Sequence, residues 1–334
     1  PSSSPVRLRL TNMEVSSLSR EGYKTRTNKT VWVFTAVYFG IVICAFLCYW
    51  LSGMSPFDAI NHAFAVTATG GFSTKNLSIA SFGSPLINIV TIFFMFISSI
   101  HFGIIYMVFA SRSLKPLNNP VLKFYAGTIL VAALLVAFSL KMSSAGFTWG
   151  ESFMTGFFQV VSSISTTGFA ISDNNTWPLF ACIITVLITV PCGMAGSTTG
   201  GIKMDRMLLM FKSVGQQVKS SMHPSSINQV HIGNHMLGNN EIYPHVVFIG
   251  LYFITIAASM ALTILSGMDV QNSLASSISC LSNVGPAMES AGTMGNYSGV
   301  PVLAKIVFIV DMFLGRVEIY PVLAVVTMAF NGRK

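Results

Sequence analysis

The stretch "STTGFA", Ser165–Ala170, places hydroxyl groups and a glycine inside an otherwise apolar part of the chain. Two further stretches, "TATGGFST" (Thr67–Thr74) and "SNVGPA" (Ser282–Ala287), have the same character. Each follows a short amphipathic segment of about a dozen residues, too short to cross a hydrocarbon core of about 30 Å. The pattern therefore predicts half-helices that enter a membrane and turn back at these three stretches.

Working outward from each turn, the same unit appears three times along the sequence. A long apolar segment precedes each half-helix, and another follows each turn. The prediction is three units of helix, half-helix and helix, separated by polar linkers. Their expected bounds are linker 1–30, unit 31–110, unit 124–215, linker 216–243 and unit 244–330.

The composition is that of a membrane protein. Hydrophobic residues make up 52% and charged residues 9%, with a mean hydropathy of +0.66, whereas a soluble domain has roughly 25% charged residues. Most of the 19 lysines and arginines lie before residue 31, within 112–123 or 203–219, or at the end, and the alternate connections hold only Lys75 and Lys141. Charge-free apolar segments of about 20 residues predict an all-α polytopic membrane protein. The positive-inside rule places its basic linkers and both termini in the cytoplasm. Charge at membrane boundaries argues against nucleic-acid binding.

The chemistry of the turns favours a monovalent cation. Glycine permits backbone conformations in which several carbonyl groups face one site, and threonine adds hydroxyl oxygens. No carboxylate lies within the three turns, whereas divalent sites are usually built from Asp or Glu. Potassium is favoured only slightly over sodium on this basis. The alternative is that each turn only connects the two helices of a hairpin. Three copies of the turn at equivalent positions argue against this alternative.

At these residues the chain resembles the Trk/Ktr superfamily of potassium-uptake proteins, specifically the Trk-type pore subunit of bacteria. The resemblance runs through nearly the whole chain. It is carried by "ATGGFST" (Ala68–Thr74), "STTGFA" (Ser165–Ala170), "AGSTTGGIK" (Ala195–Lys203), "SNVGPA" (Ser282–Ala287) and "FLGRVEIYPVL" (Phe313–Leu323).

The resemblance implies four helix–pore-loop–helix units around one pseudo-fourfold pore, as in a potassium channel. The units found here would be the second, third and fourth. Potassium would be the transported ion, and neither an organic cofactor, another metal nor an enzymatic activity is implied. The implied potassium-binding residues are Thr69, Gly70, Gly71, Thr166, Thr167, Gly168, Asn283, Val284 and Gly285.

The glycine-rich stretch after Val190 is the second site. Each glycine costs a helix about 1 kcal/mol relative to alanine, so the apolar segment should be interrupted there. The resemblance implies that the interruption is an intramembrane gate loop, 193–201, below the filter; the alternative is a passive kink. The expected gate residues are Gly193, Gly196, Ser197, Thr198, Thr199, Gly200, Gly201, Lys203 and Arg316.

Arg316 lies within a long apolar segment, where a charge should face the interior of the bundle. In the resembled family a matching arginine lies below the filter, so Arg316 is expected to be an electrostatic barrier beside the loop. The alternative is a structural ion pair with Asp311 or Glu318, and the two roles are compatible. Lys203, directly after the loop, should anchor it or repel cations.

The resemblance further implies a homodimer in the bacterial inner membrane and a cytosolic nucleotide-binding regulatory ring. The linkers Ser111–Lys123 and Lys212–Glu241 are the expected contacts with this ring. The chain departs from the family because it has three units, and the first unit is expected to be missing. The alternative function is therefore a truncated, non-conducting membrane scaffold or regulatory remnant.

Overall fold

The computed structural model describes residues 27–143, 146–223, 230–232 and 235–331. Twelve α-helices and one β-hairpin are described in these ranges. The helices are α1 Thr27–Leu51, α2 Pro56–Thr67, α3 Pro85–Ser98, α4 Phe102–Ser111, α5 Pro120–Met142, α6 Trp149–Ile164, α7 Leu179–Ile188, α8 Met204–Met222, α9 Asn239–Leu265, α10 Val270–Ser282, α11 Val302–Val317 and α12 Ile319–Asn331. The strands are β1 Val230–Ile232 and β2 His235–Leu237, antiparallel with Val230 opposite Leu237.

The three predicted half-helices are α2, α6 and α10, and local sequence explains where each begins. Ser55 caps α2 through the Asp58 N–H, with Pro56 in the first turn, where its missing N–H costs nothing. Thr148 and Glu151 form a capping box at α6. The Asp269 side chain accepts from the Gln271 N–H at the start of α10. All three starts are therefore fixed locally.

Three described helices are long and apolar enough to cross a membrane: Val31–Leu51, Pro120–Met142 and Asn240–Leu265. They form most of α1, α5 and α9, the first helix of each unit. The bent pair α3 and α4 would make a fourth span if it is counted as one. Each half-helix packs against the long helix that precedes it in the chain.

The second helix is broken in every unit, whereas the sequence predicted an interruption only in unit 124–215. The α3 and α4 axes meet at 96° around Ser99–His101. The α7 and α8 helices are separated by residues 189–203, the interruption that was predicted. The α11 and α12 helices are separated at Glu318, whose φ is +65°.

Candidate functional site

The three predicted turns share one backbone geometry. Each turn contains one of the three-residue segments Thr69–Gly71, Thr166–Gly168 and Asn283–Gly285. The first residue of each segment is in the left-handed region, with φ of +51°, +54° and +60° in that order. The third residue is a glycine with positive φ, of +64°, +81° and +100° in the same order. These paired left-handed positions recur at the end of α2, α6 and α10, so the turns are structural equivalents.

The hydrogen bonds of the turns are also equivalent. The Thr166 N–H donates to the Ser163 carbonyl at 3.1 Å, and the Thr167 N–H donates to the Ser162 carbonyl at 3.0 Å. This pair of bonds defines a Schellman motif, the usual helix ending with a left-handed residue. The same pair occurs with the same spacing at Thr69–Gly70 and at Asn283–Val284.

A left-handed backbone conformation destabilises a threonine by about 1–2 kcal/mol, because its Cβ lies too close to the following carbonyl oxygen. Strain of this kind persists only where surrounding contacts determine the backbone, and it is frequent at functional sites. The threonine hydroxyls supply such contacts. The Thr69 Oγ1 donates to the Thr198 carbonyl at 3.0 Å, and the Thr166 Oγ1 accepts from the Gly200 N–H at 3.2 Å.

The turns touch one another in sequence order. A methyl group added at Gly71 would overlap the Thr167 carbonyl, and one added at Gly168 would overlap the Val284 carbonyl. At Gly285 the same addition meets no atom within 4 Å. The first turn therefore lies against the second and the second against the third, while the third has an open side among the described residues.

The predicted gate loop, 193–201, both donates a hydrogen bond to the first turn and accepts one from it. The Thr198 hydroxyl donates to the Thr67 carbonyl at 2.9 Å, and the Thr198 carbonyl accepts from the Thr69 hydroxyl at 3.0 Å. The loop also contacts the second turn through the bond from Gly200 to Thr166. A side chain at Gly200 would lie 2.7 Å from the Ser282 carbonyl and 3.1 Å from the Asn283 Cβ. One loop therefore touches all three turns.

The start of the loop is fixed to the break between α3 and α4. The Met194 N–H donates to the Ser99 carbonyl at 2.9 Å, and the Phe102 N–H donates to the Gly196 carbonyl at 3.1 Å. The His101 ring lies against Gly196, 2.6 Å from the position of an added Cβ. The broken helix thus supplies backbone groups that an unbroken one would have used internally.

The two predicted basic gate residues both contact the loop. Arg316 donates from Nη1 to the Thr198 carbonyl at 2.5 Å and is exposed. Lys203 is buried and donates from Nζ to the Thr199 carbonyl. Each cation therefore holds a loop carbonyl.

The alternative ion pairs of Arg316 are not formed in the described part of the chain. Glu318 instead pairs with Arg206, Oε2 to Nη2 at 2.7 Å, and the Asp311 carboxylate accepts from the Ser259 hydroxyl. Sequence reasoning did not single out Arg206 or the Asp205 carboxylate, which accepts from the Ala195 N–H at 2.6 Å. Both directly follow the loop, and that proximity was the available signal.

Three helices long and apolar enough to cross a membrane, three half-helices with equivalent turns, and one loop that contacts all three turns fit a helical polytopic membrane protein. A family model described as TrkH, cation transport protein, matches residues 6–331. The chain belongs to this family, which confirms the predicted family and the helical polytopic fold. The family is one of transport proteins rather than enzymes, as predicted.

Solved and curated relatives agree with this assignment. The Trk system potassium uptake protein TrkH of Escherichia coli strain K12 is 33% identical over 309 residues, covering 91% of this chain and 62% of that protein. TrkG of the same strain is 30% identical, covering 89% and 60%. The crystal structure of the potassium transporter TrkH from Vibrio parahaemolyticus has a TM-score of 0.84 at 30% identity, covering 92% of this chain and 66% of that one. The chain thus spans about three fifths of these curated relatives.

Proposed function

We propose that the chain forms the potassium pathway and gate of a Trk-type uptake system in a bacterial inner membrane. The curated relatives are named potassium uptake proteins, and the described helices include membrane spans. In this proposal the three turns coordinate dehydrated potassium ions, because carbonyl rings can replace the hydration shell of an alkali ion. The coordinating residues would be Thr69–Gly71, Thr166–Gly168 and Asn283–Gly285.

The observation that carries the proposal is the contact of one loop with all three turns. Loop 193–201 lies against the ends of the three half-helices, and both Arg316 and Lys203 donate to its carbonyl groups. A small-residue loop in that place obstructs passage while it is bonded there, and passage requires it to move. Arg316 adds a positive charge that opposes the entry of a cation.

Rubidium uptake in cells that lack their own potassium uptake tests this proposal. The chain would be expressed alone and, in parallel, with a first pore unit fused ahead of Pro1, with sodium as competitor. Uptake that Gly168→Ala abolishes at unchanged membrane level would support the proposal. Absence of uptake by both forms, each present in the membrane, would overturn it.

The second candidate function is a membrane scaffold that does not conduct. The open side of the third turn at Gly285 favours it, because an incomplete ring cannot close around an ion. The same experiment separates the two candidates. Rubidium uptake by either form argues against the scaffold, and correct assembly without uptake argues for it.

We further propose a homodimer and a cytosolic nucleotide-binding ring as partners. The second half of α8 and the β1–β2 hairpin supply a surface for the ring. The Lys212 Nζ donates to the His231 carbonyl at 2.6 Å, which ties the hairpin to α8. Because α8 directly follows the gate loop, a partner that displaces the hairpin would pull on the loop. Co-purification of the ring with the chain, lost on replacing residues 230–237 by a flexible linker, tests this contact.

A further inference from the structure

A long groove lies on the outer side of the molecule between α5, α7 and α8. Its volume is about 620 Å³. One face of α5, from Lys123 to Leu135, forms one wall, and Leu187 of α7 and Phe211 of α8 line the other side. Apart from Lys123 and Thr128, the lining side chains are apolar.

The length of the groove matches one leaflet of a bilayer. At 1.5 Å per residue, the α5 segment from Lys123 to Leu135 is about 18 Å long, and half of a hydrocarbon core is about 15 Å. Gly127 leaves a notch in this wall, because an added Cβ at this position would meet no atom within 4 Å. The groove therefore has room for an extended hydrocarbon chain along α5.

A positive charge lies at one end of the groove. Lys123 is exposed and lies in the first turn of α5, directly after the connection that holds Arg112 and Lys115. Asn119 already caps the Val121 and Leu122 N–H groups of that turn. The ammonium group of Lys123 is thus the cationic group that a ligand in the groove would meet.

We propose that this groove binds one anionic phospholipid, with an acyl chain along α5 and the phosphate on Lys123. An apolar groove with a single cation at one end is complementary to a lipid that carries negative charge, because lysine near a membrane surface attracts anionic lipids. A second copy of the chain in the same membrane orientation would bring its own basic side to Lys123. Positive charges of the two copies would then repel each other at the Lys123 end of the groove, so an anionic lipid fits the groove better than a second copy does.

The bound chain would touch helices on both sides of loop 193–201. Leu187 and Ile188 are the last two residues of α7, which precedes the loop, and Phe211 lies in α8, which follows it. Occupancy should therefore hold α5, α7 and α8 together and raise the thermal stability of the chain. This binding claim does not depend on potassium transport.

The experiment uses the full 334-residue chain in phosphatidylcholine nanodiscs that contain increasing phosphatidylglycerol, with native mass spectrometry of the retained lipid. Gly127→Trp should fill the notch and reduce retained phosphatidylglycerol at least tenfold. Gly250→Trp is the matched control, since Gly250 is also a helical glycine with open space around it. Lys123→Gln should weaken phosphatidylglycerol binding about fivefold and leave phosphatidylcholine unchanged.

The outcomes separate the occupants. Retention of phosphatidylglycerol by Gly127→Trp at the level of Gly250→Trp would overturn the proposal. A change in oligomeric state with Gly127→Trp, measured by light scattering, would also overturn it and assign the groove to a second copy. Because Lys123 is exposed, Lys123→Gln tests the charge even if the tryptophan variant does not fold, and an unchanged phosphatidylglycerol affinity would overturn the proposal.

Discussion

Glycine at the third position of each turn has two separable roles. At Gly168 the backbone has a positive φ and leaves no space for a side chain beside the Val284 carbonyl. At Gly285 the φ is also positive, but the space is open. The two positions thus distinguish backbone conformation from packing between turns.

We expect Gly285→Ala to lower the free energy of unfolding by about 1–2 kcal/mol, the cost of a left-handed alanine. Gly168→Ala should cost clearly more, because it adds overlap with the Val284 carbonyl. Thermal unfolding in detergent, followed by tryptophan fluorescence, measures both. Equal destabilisation by the two substitutions would show that the second and third turns do not pack as described.

Asp58, at the start of α2 and outside the candidate membrane spans, makes the free energy of unfolding depend on pH. Hydrogen bonds from the Thr74 and Ser55 hydroxyls lower the pKa of its carboxyl, and Lys75 at 3.7 Å acts in the same direction. A carboxyl whose pKa is lower in the folded state stabilises the fold above its unfolded pKa of about 3.9. This stabilisation is lost as the pH falls through the folded pKa.

Asp58→Asn should therefore flatten the dependence of the unfolding midpoint on pH between about 5 and 2. The measurement is thermal unfolding over this range, with Glu289→Gln as an exposed acidic control. A curve for Asp58→Asn that parallels the unchanged chain would contradict the assigned contacts.

At the scale of elements, the first part of the loop is restrained by groups of two kinds. Ser99 and Phe102 bond to its start through backbone groups, and Asp205 bonds to the Ala195 N–H from α8. A buried donor that loses its acceptor costs about 1–3 kcal/mol. The side chain of Asp205 is therefore a specific point at which the loop can be loosened.

Asp205→Ala should speed amide hydrogen exchange within residues 194–203 about 5- to 100-fold, since it leaves the Ala195 N–H without its acceptor. Exchange in α1, which belongs to another unit, serves as the internal reference. Unchanged exchange in the loop with an intact fold would show that the carboxylate does not restrain it.

The Arg206–Glu318 pair joins the start of α8 to the break between α11 and α12. Arg206 also lies over the Phe248 ring at 4.1 Å, so this cation is held on two sides. Removing one partner of a buried pair leaves an uncompensated charge and costs about 3–5 kcal/mol. Glu318→Leu alone should therefore lower the free energy of unfolding more than Glu318→Leu combined with Arg206→Met. Thermal unfolding of the two variants measures this difference. Additive losses would contradict this coupling.

The sequence predicted the elements whose signals are local, and it missed those that depend on tertiary partners. The short amphipathic segments of about a dozen residues located the half-helices, and the repeated pattern located all three turns. No glycine run in the sequence predicts the break at Ser99–His101. The break is stabilised by backbone hydrogen bonds to Met194 and Gly196, which are distant in sequence. The left-handed Thr69 and Thr166 contradict local preference and follow from the loop beneath them.

At the scale of the molecule, the distribution of charge predicts the orientation in the membrane. Asn118 lies in a connection rich in lysine and arginine, and Asn76 lies in an opposite one. Both are exposed. By the positive-inside rule, Asn118 should face the cytoplasm.

In a cysteine-free background, Asn76→Cys should react with a membrane-impermeant maleimide on intact cells. Asn118→Cys should react only after permeabilisation. The reverse pattern would invert the predicted topology, together with the cytoplasmic position proposed for the regulatory ring.

The shared contact of one loop with three turns also has an evolutionary consequence. Duplicated units can diverge independently, but here a single segment of the second unit bonds to a hydroxyl and a carbonyl of the first unit and to the turn of its own unit. The three copies therefore cannot be exchanged for one another. Gene conversion that made them identical would give each unit the same sequence and remove the complementarity that Thr198 and Gly200 require.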